Sequence, residues 1–493
     1  MQKVISTGVA GLDDILRGGL TPDRVYLLEG TPGTGKTTVG LQFLLAGAEA
    51  GEKCLYVTLS ETEDELRATA ASHGWTLPDN LEIFELIPPE NLLDEKMQQS
   101  LLYSSDLELG ETTQQIFRKI ETVGPSRVVL DSLSEIRLLA GGSLRYRRQI
   151  LAMKHYFVRH GATVLMLDDL TAEVLDKTVH SVAHAVIRLE ELAPAYGAQR
   201  RRLRVIKYRG QSFRGGYHDF NIRAGGLVVF PRLVASEHRQ DFRRDLVPSG
   251  VEGLDALLCG GVARGSSTLV LGPAGTGKSI LTIQFVLSAM ARGERAAMFV
   301  FDEELGLLTD RMRGLGIDLD VLCARGDLVL EQIDAAELSP GEFSQKVRHC
   351  VKDPRLRTVV IDSLNGYQAA MPEETFLVLH MHEVLQFLNR RGAATFLTVA
   401  QHGLVGDMKA PVDVTYLADT VILLRYFEAF GRVRRAVSVV KKRTGRHEDS
   451  IREMRIAERG VTVGDSLRGF QGILSGVPSY FGEEGSHLLG ETG

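Results

Sequence analysis

The stretch GTPGTGKTT, residues 30–38, follows the apolar run RVYLL and precedes residues whose apolar side chains recur at helical spacing. It satisfies GxxxxGK[ST] in the strand–loop–helix context that gives the pattern its meaning. The glycines let backbone N–H groups converge on phosphate oxygens, and the helix N-terminus adds positive potential. The pattern returns as GPAGTGKS, residues 272–279. Gly33, Thr34, Gly35, Lys36, Thr37 and Thr38 are therefore expected in one ATP cradle, and Gly275, Thr276, Gly277, Lys278 and Ser279 in another. Lys36 and Lys278 would reach the β- and γ-phosphates, and Thr37 and Ser279 would ligate Mg²⁺.

The duplication extends beyond the cradles. STGVAGLDDILRGGL, from Ser6, matches PSGVEGLDALLCGGV, from Pro248, and the offset from Gly8 to Gly250 is also that from Lys36 to Lys278. The period is too long for a solenoid, so it signals a tandem domain duplication. Within the first copy, RVYLL, CLYVTL, RVVL and ATVLML read as buried strands, separated by helical stretches at residues 63–72 and 144–159. Continuous apolar strands alternating with helices imply an α/β fold, with a mostly parallel sheet covered by helices on both faces. AVIRLE and RRLRVIKYRG read as the final strands, an antiparallel hairpin. The expected domains are residues 1–235 and 246–478, with the polar stretch ASEHRQDFRRD, residues 235–245, between them. Residues 479–493 read as a short disordered tail.

Composition sets the class. With 493 residues the chain is long enough for two cores, and 44% hydrophobic with 24% charged residues is ordinary for a globular protein. A net charge of −6 argues against nucleic acid as the general partner. Cys54, Cys259, Cys323 and Cys350 form no CxxC pair, which speaks against zinc and a disulfide framework. Neither a signal-type h-region nor an eighteen-residue apolar run occurs, so a cytoplasmic protein is expected.

Each cradle has acidic company. Asp131 ends RVVLD and Asp362 ends TVVID, where a carboxylate at a strand tip would hold Mg²⁺. After the next apolar run come Ser60 and Glu61 in VTLSET, and Asp302 and Glu303 in VFDEE. Glu61, Asp302 and Glu303 are candidate catalytic carboxylates, able to orient and deprotonate a water or hydroxyl near the γ-phosphate.

In the order of these segments the chain resembles the KaiC family of RecA-like ATPases over nearly its whole length. The repeated G[VA]xGLD openings, both P-loops, VTLSET, VFDEE, RRRLRVIKYRG, ADTVILLRYFEAFGRVRRAVSVVKKRTGRHE and FQGILSGVP carry the likeness. It implies two tandem RecA-like P-loop NTPase domains, assembled as a homohexamer with ATP between neighbouring subunits. It also implies a Lys-x-Arg contact to the neighbour's nucleotide, here Lys207-Tyr208-Arg209 and Lys441-Lys442-Arg443. Clock-type members phosphorylate themselves on a Ser-Thr pair, and Thr415 and Tyr416 of VTYLADT stand at that place. Gln401 matches a polar γ-phosphate sensor, with Asp168-Asp169 in the equivalent region of the first copy. The first copy keeps only Glu61 of a paired-acid motif, which puts its hydrolysis rate in doubt.

The leading expectation is a Mg²⁺-dependent ATPase with Ser/Thr autokinase activity in the second domain, acting as a signalling or clock-like switch. A DNA recombinase or helicase motor is the alternative from another class, against which stands the absence of an accessory DNA-binding module. A non-catalytic ATP-gated scaffold is the third. Signalling proteins are the expected partners besides the chain itself, and neither membrane nor nucleic acid is.

Overall fold

The computed structural model describes residues 3–86, 101–170, 178–193, 197–370, 374–401, 415–458, 460–474 and 478–481. It divides into two compact units, residues 1–232 and 233–493.

The first unit holds nine strands: β1 (Val25–Gly30), β2 (Cys54–Thr58), β3 (Leu81–Glu85), β4 (Arg127–Asp131), β5 (Thr163–Asp169), β6 (Ala185–Leu192), β7 (Arg200–Tyr208), β8 (His218–Arg223) and β9 (Gly226–Phe230). They form one sheet in the order β3-β2-β4-β5-β1-β6-β7-β8-β9. The pairs from β3 through β6 are parallel, and those from β6 to β9 are antiparallel. All six residues of β1 are buried, as a central strand covered on both faces requires. Tyr26 and Leu28 join the core on one face, while Val25 and Leu27 join the core on the other.

In the second unit a ribbon of β10 (Leu246–Val247) and β11 (Val262–Ala263) precedes a sheet of the same design. Its strands are β12 (Ser267–Gly272), β13 (Arg295–Val300), β14 (Leu328–Gln332), β15 (Leu356–Asp362), β16 (Ala394–Ala400), β17 (Thr420–Ala429), β18 (Arg432–Lys442), β19 (Arg452–Ala457) and β20 (Gly460–Ser466). The order, β14-β13-β15-β16-β12-β17-β18-β19-β20, repeats that of the first sheet strand for strand. Each glycine loop thus leaves the carboxyl end of a central strand, flanked by the ends of its parallel neighbours. Ligand sites of open parallel sheets lie there.

Three particulars differ from the sequence expectation. The antiparallel hairpin β6–β7 is not final, because β8 and β9 extend the sheet. The polar stretch 235–245 is not a free linker. The Ala235 amide donates to the Glu383 carboxylate at 3.1 Å, His238 meets Phe387 edge-on, and the Phe242 ring lies against Gly265 and Gly392. Its apolar and aromatic members give it a place on the second core, and the division falls after Arg232. Nor is the chain free from residue 479 onward. β21 (Phe470–Gln471) pairs with β22 (Ser479–Tyr480), where Tyr480 closes an aromatic cluster with Phe470 and Phe430. The rest of the expected tail, residues 482–493, lies outside the described residues.

Candidate functional site

The first loop is shaped by its own side chains. Gly35, the residue before the helix Lys36–Glu49, has φ 94°, and a Cβ there would meet Ile222 Cδ1 at 2.6 Å. Only glycine fits both the left-handed turn and the close approach. Gly277 repeats the turn with φ 100° before the helix Lys278–Ala291. Thr34 and Thr276, both fully buried, staple their loops by donating to the Thr31 and Pro273 carbonyls. Their side chains therefore shape the cradle, leaving backbone amides to face a ligand.

Both lysines are folded back over their loops. Lys36 Nζ donates to the Gly30 and Thr31 carbonyls at 3.0 Å, and Lys278 Nζ to those of Gly272 and Pro273 at 3.0 and 2.9 Å. Lys36 also pairs with Asp169 at 2.6 Å, a partner the sequence had placed only in a general polar region. Burial lowers the Lys278 pKa, against the opposing charges of Asp362 and Asp302.

In the first unit the hydroxyl and carboxylate at the mouth of the loop lie close together. Thr37 Oγ1 lies 3.3 Å from Asp131 Oδ2, which also accepts the Tyr56 hydroxyl at 2.6 Å. Burial raises the Asp131 pKa, and nearby Asp169 adds to the rise. Glu61 is raised by burial first and by Asp131 next, and its Oε2 is buried without a hydrogen-bond partner among the described residues. Thr38 points elsewhere, its hydroxyl 3.4 Å from His73 Nε2.

In the second unit the acidic pair is split. Asp302 accepts the Ser363 hydroxyl, while Glu303 is held by both Arg311 amines at 2.7 and 2.8 Å. Asp362 accepts the Thr398 hydroxyl. Ser279 lines a cavity of about 180 Å³ with Gly275, Gly277, Lys278, Ile280, Arg311 and Ile456. Leu59 and Phe301 each donate to the strand-end aspartate carbonyl at 2.7 Å, so Ser60 and Glu61 match Asp302 and Glu303 in register.

These donors suit Mg²⁺. No group of three or more His, Cys, Asp or Glu able to hold a metal occurs among the described residues. In the first unit the Thr37 hydroxyl beside the Asp131 carboxylate is a donor set that suits a cation which keeps waters and takes its remaining oxygens from phosphate.

The basic strands need correction. On β7, Tyr208 turns into its own core, donating to the Gly19 carbonyl at 3.2 Å and accepting the Thr21 amide at 2.8 Å. On β18, Lys442 is buried against the Leu258 and Gly261 carbonyls. Strand alternation directs these two inward, away from the exposed face of their strands. Lys207, Arg209, Lys441 and Arg443 remain as candidates, and Arg209 and Arg443 are exposed. Lys207 donates to the His180 carbonyl, Arg209 to that of Ser181 at 2.6 Å, and Lys441 to that of Thr415 at 2.7 Å. Tyr416, beside Thr415, is 52% exposed.

Gln401 donates its amide to the Gly272 carbonyl at 3.2 Å, and its Oε1 is buried without a partner among the described residues. Leu170 makes the same backbone bond to Gly30, so Leu170, and not the Asp168-Asp169 pair, is its counterpart. Asp168 is engaged by Arg137 and Ser134.

A family model for the KaiC ATPase matches residues 5–234 and 247–468. The chain is 30% identical to the circadian clock oscillator protein KaiC of Thermostichus vulcanus over 490 residues, covering 97% of this chain and 92% of that protein. It is 28% identical to the circadian clock protein KaiC3 of Synechocystis sp., covering 97% and 94%. Against the circadian clock oscillator protein KaiC of Synechococcus elongatus it is 29% identical, covering 96% and 91%.

Proposed function

The chain belongs to the KaiC family of ATPases, and from that premise we propose that it hydrolyses Mg·ATP in both domains and phosphorylates its own second domain. It acts as a cytoplasmic homohexameric switch read by signalling partners, with nucleotide bound between neighbouring copies.

The observation that carries the hydrolytic reading is Glu61, a carboxylate with a raised pKa and one buried oxygen unpartnered among the described residues, within the electrostatic reach of Asp131 and Lys36. A base works best when its pKa approaches the working pH, and burial moves Glu61 that way. Its Oε2 would take a proton from water as the water oxygen bonds to the γ-phosphorus and the bridging oxygen leaves with ADP. Lys36 would release its loop carbonyls and Asp169 to meet the phosphates. Thr37 with Asp131, and Ser279 with Asp362, would hold Mg²⁺, which neutralises phosphate charge when bound. In this reading the first site works with a single carboxylate.

In the second site Asp302 or Glu303 would take the proton from a protein hydroxyl, with Thr415 and Tyr416 as acceptors. The exposure of Tyr416 and the basic side chain of Lys441 at Thr415 support that reading. The test is ATP turnover with phosphosite mapping on the purified assembly, wild type beside Glu61→Gln and Asp302→Asn/Glu303→Gln. Phosphate at Thr415 or Tyr416 that disappears in the double variant is the expected result. Turnover with no gain of mass after hours would leave an ATPase and remove the autokinase.

A further inference from the structure

At the last strand position before each glycine loop, the two domains differ in kind. Glu29 of β1 faces Arg188 of β6, whereas the matching residues of the second domain, Leu271 and Leu423, are apolar. The Glu29 side chain is only 2% exposed. One of its oxygens accepts His180 Nε2 at 2.7 Å, and the other accepts Arg188 at 2.6 Å. Burial by itself would raise the Glu29 pKa, but the bonds from His180 and Arg188 outweigh it and hold the group below the ordinary range.

His180 belongs to the short helix Thr178–Val182, and the carbonyls of that helix hold three basic side chains. Lys207 donates to the His180 carbonyl, Arg209 to Ser181, and Lys154 to Val182 at 2.9 Å. Ala185 lies opposite Tyr26 and Thr420 opposite Thr268, so Thr415 is the register counterpart of His180. Lys441 donates to the Thr415 carbonyl in turn. The basic strand is therefore hung on the same backbone position in both domains. In the first, the residue offering that carbonyl is also hydrogen-bonded, through its ring, to the strand that carries the cradle.

We infer that Glu29, His180 and Arg188 are positioning residues that fasten the segment holding Lys207 and Arg209 to the P-loop strand of the first domain. This rests on the reading that Lys207 and Arg209 reach the nucleotide of a neighbouring copy. Parting His180 from Glu29 would leave a buried carboxylate oxygen without its donor, a cost that resists displacement of the segment. The triad sets where the two cations stand relative to the cradle of their own subunit. Preorganised charge acts mainly on the transition state, so the effect belongs to kcat more than to KM.

The test measures first-site turnover in full-length protein whose second site is silenced by Asp302→Asn/Glu303→Gln. The swap Glu29→Leu/His180→Thr/Arg188→Leu imports the residues that the second domain already accommodates. It should lower kcat about tenfold with KM within about twofold, as slight misplacement of catalytic charge does. Lys207→Ala/Arg209→Ala should lower kcat comparably, and adding the swap to it should cost little more. Loss in the cation variant with unchanged kcat in the swap would overturn the inference while leaving the interface reading intact. No loss in the cation variant would sink that reading itself. If the swap misfolds, Glu29→Gln, which keeps shape and removes charge, replaces it and should lower kcat several-fold. A fall in thermal stability with unaltered kcat per folded molecule in either variant makes the triad merely structural and overturns the inference.

Discussion

Glu61 and Glu303 occupy matching positions, yet Glu303 is gripped by Arg311 and Glu61 keeps a buried oxygen with no partner among the described residues. The helices that follow, Glu63–Ser72 and Leu305–Gly314, place Thr69 where the second domain has Arg311. Glu61→Gln should therefore reduce first-site kcat by roughly 10²-fold or more while ATP affinity holds, since the amide cannot accept the proton. Steady-state turnover in the Asp302→Asn/Glu303→Gln background checks this, and a loss under about fivefold would remove Glu61 as the base. The Glu303–Arg311 pair is part exposed, at 27% and 44%, and such pairs are worth at most about 1 kcal/mol. Arg311→Thr should thus raise second-site turnover by no more than a few-fold, and a fall would mean that Arg311 serves the nucleotide instead. The cradles were legible in the sequence because their chemistry is local, a fixed spacing of glycine, lysine and hydroxyl. Whether a carboxylate is free was not, because it depends on a side chain two helical turns away.

At the scale of elements, the central strands announced themselves by unbroken apolar runs, and residues 63–72 were readable as a helix end to end. The edge strands were not. β8, HDFNIR, alternates polar and apolar residues and is short, so periodicity does not separate it from a loop. Yet β8 carries a titratable group on which the end of the first unit depends. His218, 1% exposed, accepts the Arg232 amide on Nδ1 at 2.8 Å and lies 3.0 Å from the Arg214 carbonyl through Nε2. Both nitrogens are satisfied only in the neutral ring, since a proton on Nδ1 would confront the Arg232 N–H. Burial pushes its pKa down to about 4, against an unfolded value near 6.5. The unfolded chain therefore binds the proton first. Stability from this group is complete above about pH 6.5 and falls as pH drops toward 4, by about 3 kcal/mol in all. Urea midpoints of wild type and His218→Gln, compared from pH 7.5 to pH 5, should converge as the medium is acidified. A gap that stays constant with pH would refute the assignment.

On the scale of the whole molecule, one topology has been used twice, and the copies differ around nearly identical loops. Around the first loop lie the Lys36–Asp169 pair and the Glu29–His180–Arg188 triad. Around the second lie a split acidic pair, an apolar Leu271–Leu423 contact and a hydroxyl-bearing segment at Thr415 and Tyr416. The Lys36–Asp169 and Glu29–Arg188 ion pairs in the first domain fix structure around its cradle, as the proposed role of that nucleotide in assembly would require. The second domain leaves the matching positions apolar or hydroxylic, as the proposed acceptor role of that segment would require. Removing either P-loop lysine should weaken ATP at its own site by about 3 kcal/mol, roughly a hundredfold, the worth of a charge-assisted bond to phosphate. Where ATP binds between subunits, that loss is also a loss of assembly, because the ligand stabilises only the assembled state. Lys36→Ala should then sediment as small species at ATP concentrations that keep the wild type assembled. Lys278→Ala should stay assembled and lose phosphate incorporation. Light scattering after size exclusion reads the first outcome and intact-mass spectrometry the second. Equal disassembly of both variants would mean that the two cradles share one task, and that the differences around them serve rate alone.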